Sequence, residues 1–177
     1  MTHDTAAPQA VPGAQPPSAA TPGEDAMLRL GQLPFAAAAG LLARYGLTLH
    51  AVPDGAPIPG SYWGEPEAGV IGHEVYARAD TPVHSLLHEA CHLIVLPPER
   101  RAAVHTDATD SVEEEDATCY LQILLADALP GVGRDRLMAD MDAWGYSFRL
   151  GSARAWFERD AAEARAWLAA RGLLPDG

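Results

Sequence analysis

Residues 82–96, PVHSLLHEACHLIVL, constrain the chain more than any other stretch. They are mostly apolar and carry His88-Glu89-Ala90-Cys91-His92, an H-E-x-x-H pattern. Pro97-Pro98 follows, and neither proline can donate the next helical hydrogen bond. At the other end Thr81 suits an N-cap and Pro82 the first helical position. In a helix the step from His88 to His92 turns the chain by about 400°, so the two imidazoles lie one above the other, about 40° apart. Two imidazoles so placed can share a metal ion. Glu89, on the adjoining edge, can hold a water on that ion and take its proton. With 7 histidines in 177 residues, chance places this pattern in roughly two chains of a hundred. The capped apolar setting makes it rarer still.

A chain of this length can bury one ordinary core. Its net charge of −12 argues against non-specific nucleic-acid binding, which needs a basic surface. No run reaches the ~20 apolar residues of a membrane span. Cys91 and Cys119 both fall among apolar residues of expected helices, a pattern of small buried side chains in a reducing, cytoplasmic setting. Residues 1–26 are rich in Pro, Ala, Thr and Gly and cannot build a core, so a disordered tail is expected there, with one domain over 27–177. The start has neither the basic end nor the apolar run of a secretory signal.

Along the domain, residues 34–45 read as a helix stopped by Gly46, and 47–52 alternate as a strand. Residues 53–68 are a Pro/Gly-rich loop, and 70–78 read as a second strand in which His73 and Glu74 point to opposite faces. After the H-E-x-x-H helix comes a loop with His105 and Asp107. Helices are then expected over 111–129, 134–144 and 152–171, the last with an Arg159/Glu163 surface pair. The fold class is α+β: a small antiparallel or mixed sheet packed on the H-E-x-x-H helix, followed by a mostly helical C-terminal part.

Two histidines do not complete a catalytic metal site, which needs a third protein ligand and an open position. A third histidine six residues beyond His92 is excluded, because Pro98 stands there. A carboxylate from the next helix remains. That helix begins Ser111-Val112-Glu113-Glu114-Glu115-Asp116-Ala117, and Ala117, Leu121, Leu124 and Ala128 mark an apolar face. Stepping back from Ala117 lands on Glu114, then Glu113, whereas Glu115 aligns with Thr118 and Gln122 on the more polar side. Glu114 is therefore the expected third ligand with Glu113 second, and Glu115, Asp116, Asp107 and His105 stay open. Ser111 and Glu114 also fit a capping box. His84, one turn before His88, can line the site or simply fill its turn. Tyr146 and Arg149, in a late loop, are candidates to stabilise an oxyanion.

The order helix, strand, strand, H-E-x-x-H helix and then a glutamate-bearing helix resembles the compact core of the gluzincins, including the single-domain minigluzincins and the bacterial proteases that cut repressors. The resemblance covers roughly residues 41–129. In those families an E-x-x-A segment supplies the third ligand, and Glu114-Glu115-Asp116-Ala117 matches it. It implies a zincin-like fold and a zinc metallopeptidase acting on a protein or peptide, with His88, His92 and Glu114 on zinc and Glu89 as the catalytic base. A looser resemblance is to the bacterial elongation factor P hydroxylase, through H-E-x-x-H, Arg100-Arg101 and Phe157-x-Arg159. It implies Fe(II), since two His and a carboxylate hold either ion. A non-catalytic, metal-stabilised interaction protein is the third expectation.

Overall fold

A computed structural model describes residues 26–61, 64–106 and 111–176. The expected tail, apart from Ala26, lies outside the described residues, as does Asp107. The described chain is mixed α/β, about 51% helical, with a three-stranded mixed sheet and seven α-helices. Helix α1 spans Phe35–Ala43 and leads through Gly46, at φ 76°, into β1, Thr48–Ala51. Strands β2, Gly69–Ile71, and β3, Glu74–Ala77, follow. Central β3 runs parallel to β1 and antiparallel to β2.

The expected single strand over 70–78 is a hairpin instead. Gly72, at φ 60°, occupies the first place of a two-residue turn with His73. A II′ turn needs glycine there, so the glycine folds the strand back. Glu74 pairs across the sheet with His50 on β1 at 2.5 Å, away from the H-E-x-x-H helix. Gly69 also requires glycine, because a Cβ there would collide with the carbonyl oxygen of Pro59.

Helix α2, Val83–Val95, carries the H-E-x-x-H pattern and buries twelve of its thirteen residues. Leu86, Leu87, Leu93 and Ile94 meet the buried sheet residues Leu49, Val70, Val75 and Ala77 in one core. Its cap differs from expectation. Pro82 is the N-cap in extended conformation and offers no side-chain bond. Thr81 Oγ1 instead accepts from the Arg78 N–H at 2.9 Å, closing the turn out of β3. The first donor of α2, the Val83 N–H, goes to the carbonyl of Leu28 at 2.9 Å, so the chain's N-terminal strap caps the helix.

At its other end α2 stops before Pro97-Pro98, and Pro98 opens the short α3, Pro98–Arg101. The buried Arg101 turns back under α2. It donates to the carbonyls of Leu93, Ile94 and Leu96 at the helix end and to that of Tyr45.

Helix α4, Val112–Leu125, packs along α2 on the side away from the sheet, and a 3-10 turn extends it over Ala126–Ala128. Helix α5, Gly133–Trp144, ends at Gly145 with φ 106°. The last expected helix is broken in two, α6 at Ala153–Arg159 and α7 at Ala162–Ala170. The Asp160 carboxylate at the break is held by the Arg149 guanidinium. The break puts Arg159 and Glu163 on different helices, so they do not form the expected pair. No helix among the described residues is long and apolar enough to cross a membrane.

Arg101→Met would remove the side-chain donor shared by the carbonyls at the end of α2. The expected cost is about 2–3 kcal/mol of stability, read from urea unfolding with an unchanged m-value.

Candidate metal centre

His88 and His92 point from α2 toward α4, and their Nε2 atoms stand 3.0 Å apart. Between them comes the Glu115 carboxylate, with Oε1 3.3 Å from His88 Nε2 and Oε2 3.3 Å from His92 Nε2. The three side chains are 3%, 8% and 6% exposed. Tetrahedral bonds of about 2.0–2.1 Å to zinc place neighbouring donor atoms about 3.3 Å apart, so the separations suit such an ion. Cys119, one turn beyond Glu115 on α4, brings Sγ to 3.8 Å from Glu115 Oε1. His88, Glu115 and Cys119 form a buried cluster whose donor atoms all lie within 4.8 Å of one another and can hold a metal ion.

The far sides of the imidazoles are tied down. Gln122 Oε1 accepts from His88 Nδ1 at 2.7 Å, and the Gln122 amide is oriented in turn by donating to the carbonyl of His84 at 3.3 Å. Thr118 lends its hydroxyl proton to the Glu114 carbonyl at 2.8 Å, which leaves its oxygen facing His92 Nδ1 at 3.5 Å. Both rings thus present Nε2 to the same point, the arrangement by which outer partners orient metal-binding histidines.

Glu115, Thr118, Cys119 and Gln122 lie at i, i+3, i+4 and i+7, a single stripe of α4. The expectation that the inward acid is Glu114 is therefore corrected. The Glu114 carboxylate pairs with Arg100 at 2.6 Å, and its backbone N–H is capped by Ser111 at 3.3 Å. Glu113 is exposed and accepts from the Ser111 hydroxyl. Both α4 faces are buried, so hydropathy does not rank them. His105 is exposed and paired with Thr106. Arg149 is committed to Asp160, away from the histidines. Glu89 is half-buried on α2, one residue past His88.

Tyr146 does reach the centre. Its hydroxyl lies 3.1 Å from His84 Nδ1, and its ring stands edge-on to His88 with centroids 5.7 Å apart. Burial and the neighbouring His88 push the His84 pKa down to about 3, so His84 is neutral. Its Nε2 is buried without a hydrogen-bond partner among the described residues. Glu67, from the loop before β2, completes this wall. Burial pushes its pKa up to about 7, against the opposing pull of His88 and the Trp144 indole.

Burial also disfavours a charge on His88, but Tyr146, Glu115 and Cys119 outweigh it and hold its pKa well above the usual value. Burial and the charge of His88 take His92 the other way, to about 4. On Glu115 burial is outweighed by His88 and His92, which keep its pKa low. Without metal the site therefore holds a His88 imidazolium against a Glu115 carboxylate. A cation entering between them displaces that proton.

Protein-family models, curated proteins and solved structures yield no match to this chain.

The centre thus rests on its own geometry. Sequence reasoning had left Glu115 open, and it passed over Thr118, Cys119, Gln122 and Glu67. The first three were visible as a polar stripe at helical spacing; nothing in the local pattern marked Glu67.

Two outcomes follow. Gln122→Leu leaves His88 Nδ1 unpaired and should weaken metal affinity about 10- to 100-fold, measured by chelator competition. Glu67 has a folded-state pKa above its unfolded value, so ionising it opposes folding. The contribution of Glu67 to metal-free stability should fall as pH rises from about 4.5 to about 7, seen as a falling difference in stability, wild type relative to a Glu67→Gln variant. The loss is of the order of 3 kcal/mol. Urea titrations of both proteins at pH 5 and pH 8 should show that difference changing by this amount.

Proposed function

We propose that the chain is a metal-dependent hydrolase, a zinc metallopeptidase of gluzincin type, with His88, His92 and Glu115 as its metal ligands. One observation carries the reading. Two Nε2 atoms and both oxygens of one carboxylate converge within about 3.3 Å, with the outer nitrogen of His88 anchored on Gln122. Such a set contains too many unshared lone pairs to be packed together for stability alone, unless a proton or a cation sits among them. The thiol of Cys119 beside the imidazoles favours zinc over iron, because soft donors select zinc.

The bound ion would supply Lewis acidity, polarising a carbonyl and acidifying a water. The chain's own residues do the rest. Gln122 and Thr118 hold the two imidazoles in the tautomer that offers Nε2. Glu89, on the adjoining edge of α2, accepts the water's proton and hands it to the leaving amine. Tyr146, whose hydroxyl lies beside His84 and whose ring flanks His88, would donate toward a developing oxyanion. The substrate class proposed is a protein or peptide.

The test joins elemental analysis with turnover. Full-length protein purified without added metal should carry about one zinc per chain. His88→Ala and Glu115→Ala should lose it, and Glu114→Ala should keep it. Glu89→Gln should retain zinc while hydrolysis of a mixed peptide library, followed by mass spectrometry, falls at least 100-fold. Full activity in Glu89→Gln would end the hydrolase reading. Zinc lost from Glu114→Ala but kept in Glu115→Ala would restore Glu114 as ligand. Chelation should lower the melting temperature, since a ligand bound only to the folded state stabilises it.

A further inference from the structure

The metal reading uses three donors and leaves a fourth side chain in the same space. Cys119 is 1% exposed and belongs to the same convergent cluster as His88 and Glu115. Its Sγ approaches the very oxygen, Glu115 Oε1, that faces His88. The placement repeats a pattern. Helix α2 offers His88 and His92 at i and i+4, and α4 offers Glu115 and Cys119 at i and i+4. Two facing helices, each with two donors one turn apart, thus bring Cys119 into one cluster with His88 and Glu115, while His92 reaches the same Glu115 carboxylate at 3.3 Å.

Charge argues the same way. A divalent ion held by two neutral imidazoles and one carboxylate keeps one net positive charge. The four side chains here are 8% exposed or less. A buried unpaired charge is costly. One thiolate brings the sum to zero. A coordinating thiol loses its proton on metal binding, and that proton passes to solvent.

We propose that Cys119 is the fourth protein ligand of the metal at His88, His92 and Glu115, so that the resting centre is a closed set of two imidazoles, one carboxylate and one thiolate. This rests on the metal reading and refines it. A water joins by expanding the coordination to five or by displacing the sulfur, so Cys119 sets how readily the centre opens. Cys91 is the natural control. It is equally buried, but it lies outside the donor cluster and packs in the apolar core of α2.

The experiment is cobalt substitution of the full chain, read by absorption. Thiolate-bound Co(II) has an intense near-ultraviolet charge-transfer band, whereas nitrogen and oxygen donors alone give only weak visible bands. The band should appear in wild type and in Cys91→Ala. In Cys119→Ser and Cys119→Ala it should be lost while the visible bands of bound cobalt remain. Zinc affinity should fall at least about tenfold in both Cys119 variants, with circular dichroism recorded on each to show an unchanged fold. Cobalt bound to wild type without the band would overturn the proposal and leave the three-ligand reading standing. A band that survives in Cys119→Ser but vanishes in Cys91→Ala would overturn it in favour of Cys91. Failure of wild type to bind cobalt or zinc at all would overturn both readings together.

Discussion

The structure depends on the burial of five polar side chains, His88, His92, Glu115, Thr118 and Gln122, between α2 and α4. Polar groups taken out of water must be paired, and charged ones must be neutralised. Here each is met from the facing helix. His88 finds Gln122 and Glu115, His92 finds Glu115 and Thr118, and Gln122 reaches back to the backbone of α2. The rest of the fold keeps these two helices at that distance. The sheet fills the other side of α2, Leu28 caps its start, and Arg101 caps its end. A change that slides α2 against α4 would break every one of these pairings at once.

That arrangement gives the centre a particular electrostatic character. Without metal, a proton occupies the place of the cation, shared between the His88 imidazole and the Glu115 carboxylate, while His92 stays neutral. The wall made by Glu67, His84, Trp144 and Tyr146 adds no fixed positive charge near neutrality. A neutral His84 and a carboxyl that takes up its proton near pH 7 adjoin the site instead. Such surroundings do not compete with a dication by charge repulsion. They leave a hydroxyl and a titratable acid beside the candidate centre.

Where sequence reasoning succeeded and where it failed have the same physical source. Hydropathy patterning works when one face of an element is wet. The ends of α2 were legible because prolines and apolar residues bound it, and the pairing of His88 with His92 follows from helical geometry alone. Alternation alone does not show the hairpin, because it counts Gly72 as one more strand residue, although glycine inside a strand pattern is a turn signal. The break after α6 was missed because the ion pair that holds Asp160 comes from Arg149, eleven residues away.

The choice of acid shows the limit most clearly. Helix α4 carries Glu113, Glu114 and Glu115 in succession, and its composition does not say which one turns inward. The apolar stripe through Ala117 and Leu121 pointed to Glu114. In the fold that stripe is buried, and so is the polar stripe through Thr118, Cys119 and Gln122. The sequence by itself determined a helix bearing two histidines on one face, bounded by prolines, in an acidic chain with one core. Only the tertiary structure decided that the polar stripe of α4 faces those histidines and that Arg100 claims Glu114. A helix buried on every side has no hydrophobic direction, so its inward residues are chosen by the donors and charges that its neighbours present.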